Sequence, residues 1–537
     1  MKNYILIAFL LLGIGKTAFS QNKDATNQSL DTNKDFREFK VLDSKYIDNA
    51  VLWAPFNKEL KNFSEATYTI LKPLILEQNI PTLQKNIAEG KLTYEKLVLF
   101  YLYRIRKFDR ENTLSLNSVI SLNPNVVKEA RLMDQQPKSL SGFSIYGMPI
   151  LLKDNIDVAG MPTTAGAAVL QENISEDAFI VKQLKKNGAL ILGKANLSEW
   201  AYFFCGDCPS GYSAVGGQTL NPYGRRKFDT GGSSSGSGVA VAANFCVAAV
   251  GSETSGSILS PSSQNSVVGL KPTVGLLSRT GIIPISSTLD TPGPITKNVI
   301  DNAILLEAMT GFDKDDSASV NLESEPITNV TNTSLKGKRF GAFKRLMEDS
   351  LYVAALSTLK NEGAEIIEIE QQQIDLPEFI RLLNLDMKND LPAYLQKHSN
   401  VAISVKSVED VIEFNRKDSL KNALYGQALF KGIVADKGSL EDLERIKGTL
   451  STNGKQFFEV PIKMHKLDGI LSINNFHAGY AAVAKYPAMT VPMGYQKDGK
   501  PRGLTFIAKP FQEKSLLQWA YEYEKASNKR ISPKNYN

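Results

Sequence analysis

Two glycine- and serine-rich clusters carry the residues best suited to chemistry. Asp229-Thr230-Gly231-Gly232-Ser233-Ser234-Ser235-Gly236-Ser237-Gly238 is followed by a small-residue apolar segment, Val239 to Val250, and then by Gly251-Ser252-Glu253-Thr254-Ser255-Gly256-Ser257. Glycine tolerates dihedrals that let backbone N–H groups converge, so loops of this kind hold an anion or an oxyanion. Neither the Lys-Ser/Thr ending of a P-loop nor a GxGxxG dinucleotide fingerprint occurs in them, so no phosphate motif is satisfied. The composition also suits a flexible linker. Against that, the apolar segment between the clusters reads as a buried helix, and a buried linker would carry unsatisfied polar groups.

A serine hydroxyl becomes a nucleophile when a base takes its proton. The only histidines are His398, His465 and His477, so a histidine triad lacks sequence support. The other practical base is a desolvated lysine, whose pKa must fall from about 10.4 towards about 7 to 8. Lys153 follows Ile150-Leu151-Leu152, a run that should carry it to the end of a buried strand, where burial disfavours the ammonium. A lysine that leaves its strand for solvent is the plainer alternative.

The elements that must position these groups read as α/β. From Leu60 to Phe108, apolar positions such as Ile70, Leu71, Leu74 and Ile75, then Leu97, Leu99 and Leu102, recur mostly three and four apart, which predicts helices around the main body. From Tyr146 onward, Met148 to Leu152 and Gly188 to Gly193 read as buried strands punctuated by glycine. Asn196 with Glu199 predicts a helix start after the second strand. Ser317 to Lys338, rich in Ser, Asn, Thr and acidic residues, reads as a surface connection. Lys338 to Phe343, Leu467 to Ile473 and Ala488 to Met493 read as strands, Leu376 to Arg445 as an inserted or peripheral helical element, and Glu513 to Ala526 as a terminal amphipathic helix.

At 537 residues the chain suits one large α/β unit or two domains. Its 42% hydrophobic and 22% charged residues argue against wholesale disorder and against a polytopic membrane protein. The 62 Lys and Arg against 56 Asp and Glu leave +6, with no dense basic block, which argues against a nucleic-acid partner. Met1-Lys2, the apolar run Tyr4 to Ile14, and small residues at Ala18 and Ser20 match a secretory signal cleaved after Ser20. That run is short for a bilayer span, no cysteine follows it, and the expectation is a soluble periplasmic or secreted product without stable membrane insertion. The organisation read from the sequence is thus a signal at 1–20, an extension at 21–59, and a single domain at 60–537 with a helical insertion at about 376–445. Three cysteines are too few for a disulfide scaffold, though Cys205 and Cys208 could pair in an oxidising compartment, and no Cys/His spacing suits zinc.

Three separated motifs carry a family resemblance. Leu152-Lys153-Asp154-Asn155-Ile156-Asp157-Val158-Ala159-Gly160, running on to Gly166, then Gly231 to Ser237, then Ser257 and Gly269-Leu270-Lys271-Pro272-Thr273 resemble the amidase signature family, in the family's order and with Ser233 and Ser257 24 positions apart. The likeness runs from about Tyr146 to Asp316 and from about Leu467 to Ala526. Asn196 to Ala201, Gly216 to Tyr223 and Gly275 to Ser286 most resemble the bacterial peptide amidases, which remove C-terminal amides from peptides.

The resemblance implies a large mixed, twisted sheet covered by helices on both faces, and a cofactor-free, metal-free hydrolase acting on a small-molecule or peptide amide. By position, Ser257 is the nucleophile, Ser233 the bridging serine after a cis peptide bond, and Lys153 the base, with N–H groups of Thr254, Ser255 and Gly256 around the oxyanion. Glu253 and Leu259 depart from a Thr-Asp-x-Gly-Gly-Ser-Ile-Arg pattern, and Ser255 stands where that pattern has glycine, which bears on the loop because serine resists positive φ. Tyr202, Phe203 and Phe204 read as core or as substrate contacts. A catalytically weak protein of this fold that binds peptides or cell-wall fragments is the alternative; an amidotransferase subunit of transfer-RNA charging is opposed by the signal.

Overall fold

Strands without a polar face need cover on both sides, and the sheet is built mainly from such strands. The computed structural model describes residues 39–110, 113–136, 142–321 and 327–537. The expected signal at 1–20 and residues 21–38 of the extension lie outside the described residues, as do residues 322–326 of the expected surface connection.

The strands β1 (Val119–Leu122), β2 (Pro149–Lys153) and β3 (Leu190–Ala195) precede a separate two-stranded piece, β4 (Tyr212–Ser213) with β5 (Gly217–Gln218). There follow β6 (Ala248–Glu253), β7 (Val268–Lys271), β8 (Thr291–Thr296), β9 (Arg339–Phe343), β10 (Glu365–Ile369), β11 (Gly469–Ile473), β12 (Ala488–Tyr495) and β13 (Pro501–Ile507). Apart from β4 and β5 they form one eleven-stranded mixed sheet in the order β1-β3-β2-β6-β8-β7-β12-β13-β11-β9-β10. Helices lie on both of its sides, the architecture that the resemblance implies.

β2 runs parallel to both β3 and β6, with Leu152 beside Val250 and Lys153 beside Ala195. Lys153 at the end of β2 and Glu253 at the end of β6 therefore leave the sheet at the same edge, the carboxyl ends of parallel strands where α/β sheets commonly bind ligands. The helix Ser235–Ala242 is buried along its whole length. A Cβ on Gly236 would lie 2.5 Å from Asn196 N, Asn196 O and Ser118 O, so only glycine lets this helix approach the chain that follows β3.

Several expectations need correcting. The segment Val239 to Val250 is not one helix: the helix stops at Ala242, Asn244 turns the chain with φ 56°, and Ala248 enters β6. The small-residue run had no period from which to read that break. Asn196 and Glu199 do not start an α-helix; a short 3-10 turn, Glu199–Tyr202, follows, with left-handed φ at Trp200, Ala201 and Tyr202. The Asn196 amide instead donates to Asn117 O, Gly217 O and Thr219 Oγ1, and buried Glu199 accepts from Ala214 N–H at 2.8 Å. β8 was not anticipated, because Pro292 and Pro294 obscure it; β7 pairs only with Ile295 and Thr296, so both prolines lie where β8 has a neighbour on one side alone.

The helical element runs farther than its expected end, from the helix Phe379–His398 to the helix Leu440–His465. Leu382, Phe430 and Ile446 join Trp200, Phe203, Phe204, Ile283 and Ile285 in a second hydrophobic cluster beside the main core. Phe203 and Phe204 are buried here, with the Phe204 ring 5.1 Å from that of Phe430. Tyr202 is partly exposed and donates its hydroxyl to Cys208 O at 2.9 Å. Cys205 and Cys208 are joined as a disulfide.

Candidate active site

Lys153 is held where its strand delivers it, fully buried, and its ammonium is surrounded by oxygen. Nζ lies 2.7 Å from Ser233 Oγ, 2.9 Å from Ser252 Oγ and 3.1 Å from Ser252 O. Burial brings its pKa down to about 7, while Asp290 and Glu253 pull the other way. Lysine reaching solvent, the plainer alternative, is thereby excluded.

Ser233 is fully buried at the mouth of the helix Ser235–Ala242, and the peptide bond before it is cis. Ser257 lies one loop away and is partly exposed. Ser234 joins the two loops: its N–H donates to Ser257 O at 3.1 Å, and its hydroxyl donates to Ser252 O and accepts from Ser252 N–H. Ser257 is thus tied to the residue after Ser233, and Ser233 touches Lys153.

Glu253 organises the loop before Ser257. Its carboxylate accepts from the N–H groups of Gly256, Ile258 and Leu259 at 2.7 to 2.9 Å. The Gly256 N–H, one of the three expected oxyanion donors, is therefore already engaged. Among the described residues no acceptor takes the N–H of Ser255 or of Ser257. Positive φ falls on Gly256, at 95°, and not on Ser255, so the serine fits the loop without the strain that its type suggested. The Thr254 hydroxyl donates to Asp290, whose other oxygen accepts from Ile285 and Ser286 N–H.

Sequence reasoning missed Ser252, Asn155 and Asp290. The first two sit inside the quoted motifs, Asn155 two residues after Lys153 and Ser252 five before Ser257, and that placement was a signal that could have found them. Asp290 arrives from the turn before β8 and had none. Ser252, Asn155, Thr254, Arg279, Ile283 and Ile285 line a narrow cleft beside Ser252. Its walls mix aliphatic surface with hydrogen-bonding groups, as small-molecule sites commonly do.

Histidine provides no competing base. His477 contacts Ser472 Oγ at 2.6 Å, but both are buried, and burial with the nearby Arg345 brings the imidazole down to about 3. Among the described residues no three His, Cys, Asp or Glu side chains gather to hold a metal, and no helix is long and apolar enough to cross a membrane.

The family model for Amidase matches residues 96–472. The chain belongs to the amidase family. This amidase is 38% identical over 485 residues to a probable amidase of Arabidopsis thaliana, covering 86% of this chain and 92% of the relative. Among solved structures, an amidase family protein from Bacillus anthracis superposes with a TM-score of 0.86 at 38% identity, over 92% of this chain and 99% of that one. The native peptide amidase from Stenotrophomonas maltophilia superposes with a TM-score of 0.79 at 36% identity, over 85% and 98%. This amidase is thus an amide hydrolase, and Lys153 contacts the hydroxyls of Ser233 and Ser252 beyond the carboxyl ends of β2 and β6.

Proposed function

We propose that this amidase is an exported hydrolase that removes C-terminal amides from peptides through Ser257, Ser233 and Lys153. The observation that carries the reading is the 2.7 Å contact between buried Lys153 Nζ and Ser233 Oγ, with Ser257 tied to the next residue and partly open to solvent. On attack, the Ser257 proton passes to Ser233 Oγ and the Ser233 proton to the lone pair of Lys153. The carbonyl oxygen takes up negative charge, and the N–H groups of Ser255 and Ser257, beside Thr254 and Gly256, receive it; one such donor is worth about 2.7 to 4 kcal/mol in the transition state. The proton returns along the same path to the leaving nitrogen, and ammonia departs. Water then releases the acyl group from Ser257 as a carboxylate.

Likeness to the Stenotrophomonas peptide amidase supports peptide amides as the substrate class, and the Met1 to Gln21 pattern supports export. The test is a screen for ammonia release over amidated peptides and small amides, with Lys153→Ala as the inactive control. Turnover of peptide amides that Lys153→Ala loses supports the reading. Binding of amidated peptides without turnover would make the protein a binder on this fold, and preference for small amides would overturn the peptide assignment alone. Secretion of the full chain with loss of residues 1–20 tests export.

A further inference from the structure

An ammonium in a buried site needs an acceptor for each of its three protons, and Lys153 has three. One is Ser233 Oγ at 2.7 Å, and the other two, the hydroxyl at 2.9 Å and the carbonyl at 3.1 Å, belong to Ser252. The carbonyl can only accept, so it always takes an N–H. The hydroxyl is restricted by Asn155, whose Nδ2 donates to Ser252 Oγ at 3.0 Å and also to Ile283 O at 3.3 Å. A backbone carbonyl cannot donate, so the second bond fixes which end of the Asn155 amide faces Ser252.

Resting on the Ser257–Ser233–Lys153 relay, we infer that Ser252, held by Asn155, is a positioning residue that takes two protons of Lys153 and reserves the third direction for Ser233. When Lys153 is neutral, its two N–H groups go to Ser252 and its lone pair faces the Ser233 hydroxyl. When the proton arrives from Ser233, the ammonium finds acceptors in place, and nothing has to rotate during the attack.

The charged groups around Lys153 fit this division of roles. Asp290, before β8, and Glu253, at the end of β6, act on it through space, and their oxygens are engaged by Thr254, Ile285 and Ser286 and by Gly256, Ile258 and Leu259. Asp154, next to Lys153 on the chain, is paired with Lys194 of β3 at 3.1 Å. Among the described residues no carboxylate touches the amine directly, so Ser252 supplies the contacts that a counter-ion would otherwise make.

The test is the pH dependence of kcat/KM for ammonia release from an amidated peptide, whose acidic limb reports the free enzyme's base. Ser252→Ala removes one acceptor of the ammonium, so the limb should move down by about one pH unit and the plateau should fall about tenfold. Ser252→Thr keeps the hydroxyl and should hold the wild-type limb. Asn155→Asp places a carboxylate beside Ser252 and should move the limb up by about one unit. An unmoved limb in folded Ser252→Ala, a Ser252→Thr limb displaced like that of the alanine variant, or an Asn155→Asp limb that stays or falls would overturn the inference. If Ser252→Ala does not fold, the Asn155→Asp shift decides alone. Wild-type turnover by Lys153→Ala would instead sink the relay itself, a different result from any of these.

Discussion

The N–H of Ser234 donates to the carbonyl of Ser257 at 3.1 Å, and the Ser234 hydroxyl bridges both backbone groups of Ser252. Ser234 thereby links the loop that carries Ser257 to Ser252, which contacts Lys153. Ser234→Ala keeps the first bond and removes the bridge, leaving Ser252 N–H and O without it. Loss of about 1 to 3 kcal/mol of stability is expected from urea unfolding, and a fall in kcat of about tenfold or more with little change in KM from steady-state kinetics. Unchanged kcat in the folded variant would show that the bridge does not position the site.

The Lys153 amine must be neutral to accept a proton, and its pKa lies at about 7. Activity should therefore rise with pH through about 7 and be lost below it. Stability carries the same sign. Between about 7 and the ordinary value of 10.5 the unfolded chain holds a proton that the native chain does not, so the contribution of Lys153 becomes less unfavourable as pH rises, by about 1.4 kcal/mol per unit across that window. Lys153→Met should abolish turnover and raise the melting temperature at pH 6.5. An inactive variant that melts lower than wild type at that pH would contradict the desolvation argument.

Glu253 holds three N–H groups of the loop that carries Ser257. Glu253→Gln replaces one acceptor oxygen with an NH₂ that faces those donors. The expected outcome is a fall in kcat of about 10- to 100-fold, with KM nearly unchanged and about 1 to 3 kcal/mol of stability lost. Steady-state kinetics beside denaturant unfolding separate the two effects. A variant with wild-type kcat would remove Glu253 from the organisation of the oxyanion loop.

Gly256 combines φ 95° with a site where an added Cβ would lie 3.0 Å from Asn475 Nδ2. Gly256→Ala should cost about 1 to 3 kcal/mol and displace the N–H groups around it. Ser255→Gly, at a position with ordinary φ, should leave both stability and kcat close to wild type. Comparing the two by thermal unfolding and ammonia release tests where the strain of the loop falls.

Much of this site was legible because its residues are local in sequence. Lys153 could be placed at the end of a buried strand because Ile150-Leu151-Leu152 has no polar face, and the two serine clusters stood out by composition and spacing. The parts that were not legible depend on neighbours distant in the chain. Asp290 reaches the site through the pairing of β8 with β6, and prolines mask β8. Glu199 looked like the third helical residue after a cap, yet its carboxyl is used by Ala214 N–H, and the chain turns left-handed at Trp200 instead. The break at Asn244 was hidden because small apolar residues suit a buried helix and a buried strand equally. In each case tertiary contact overrode a local preference.

The most direct measurement is acyl capture at Ser257. With an amidated peptide as substrate and hydroxylamine present, the relay predicts a peptide hydroxamate formed in competition with the acid, an acyl adduct on the Ser257 peptide in quenched digests, and loss of both in Ser257→Ala. Ammonia release with no hydroxamate and no adduct, continuing at the wild-type rate in Ser257→Ala, would contradict it.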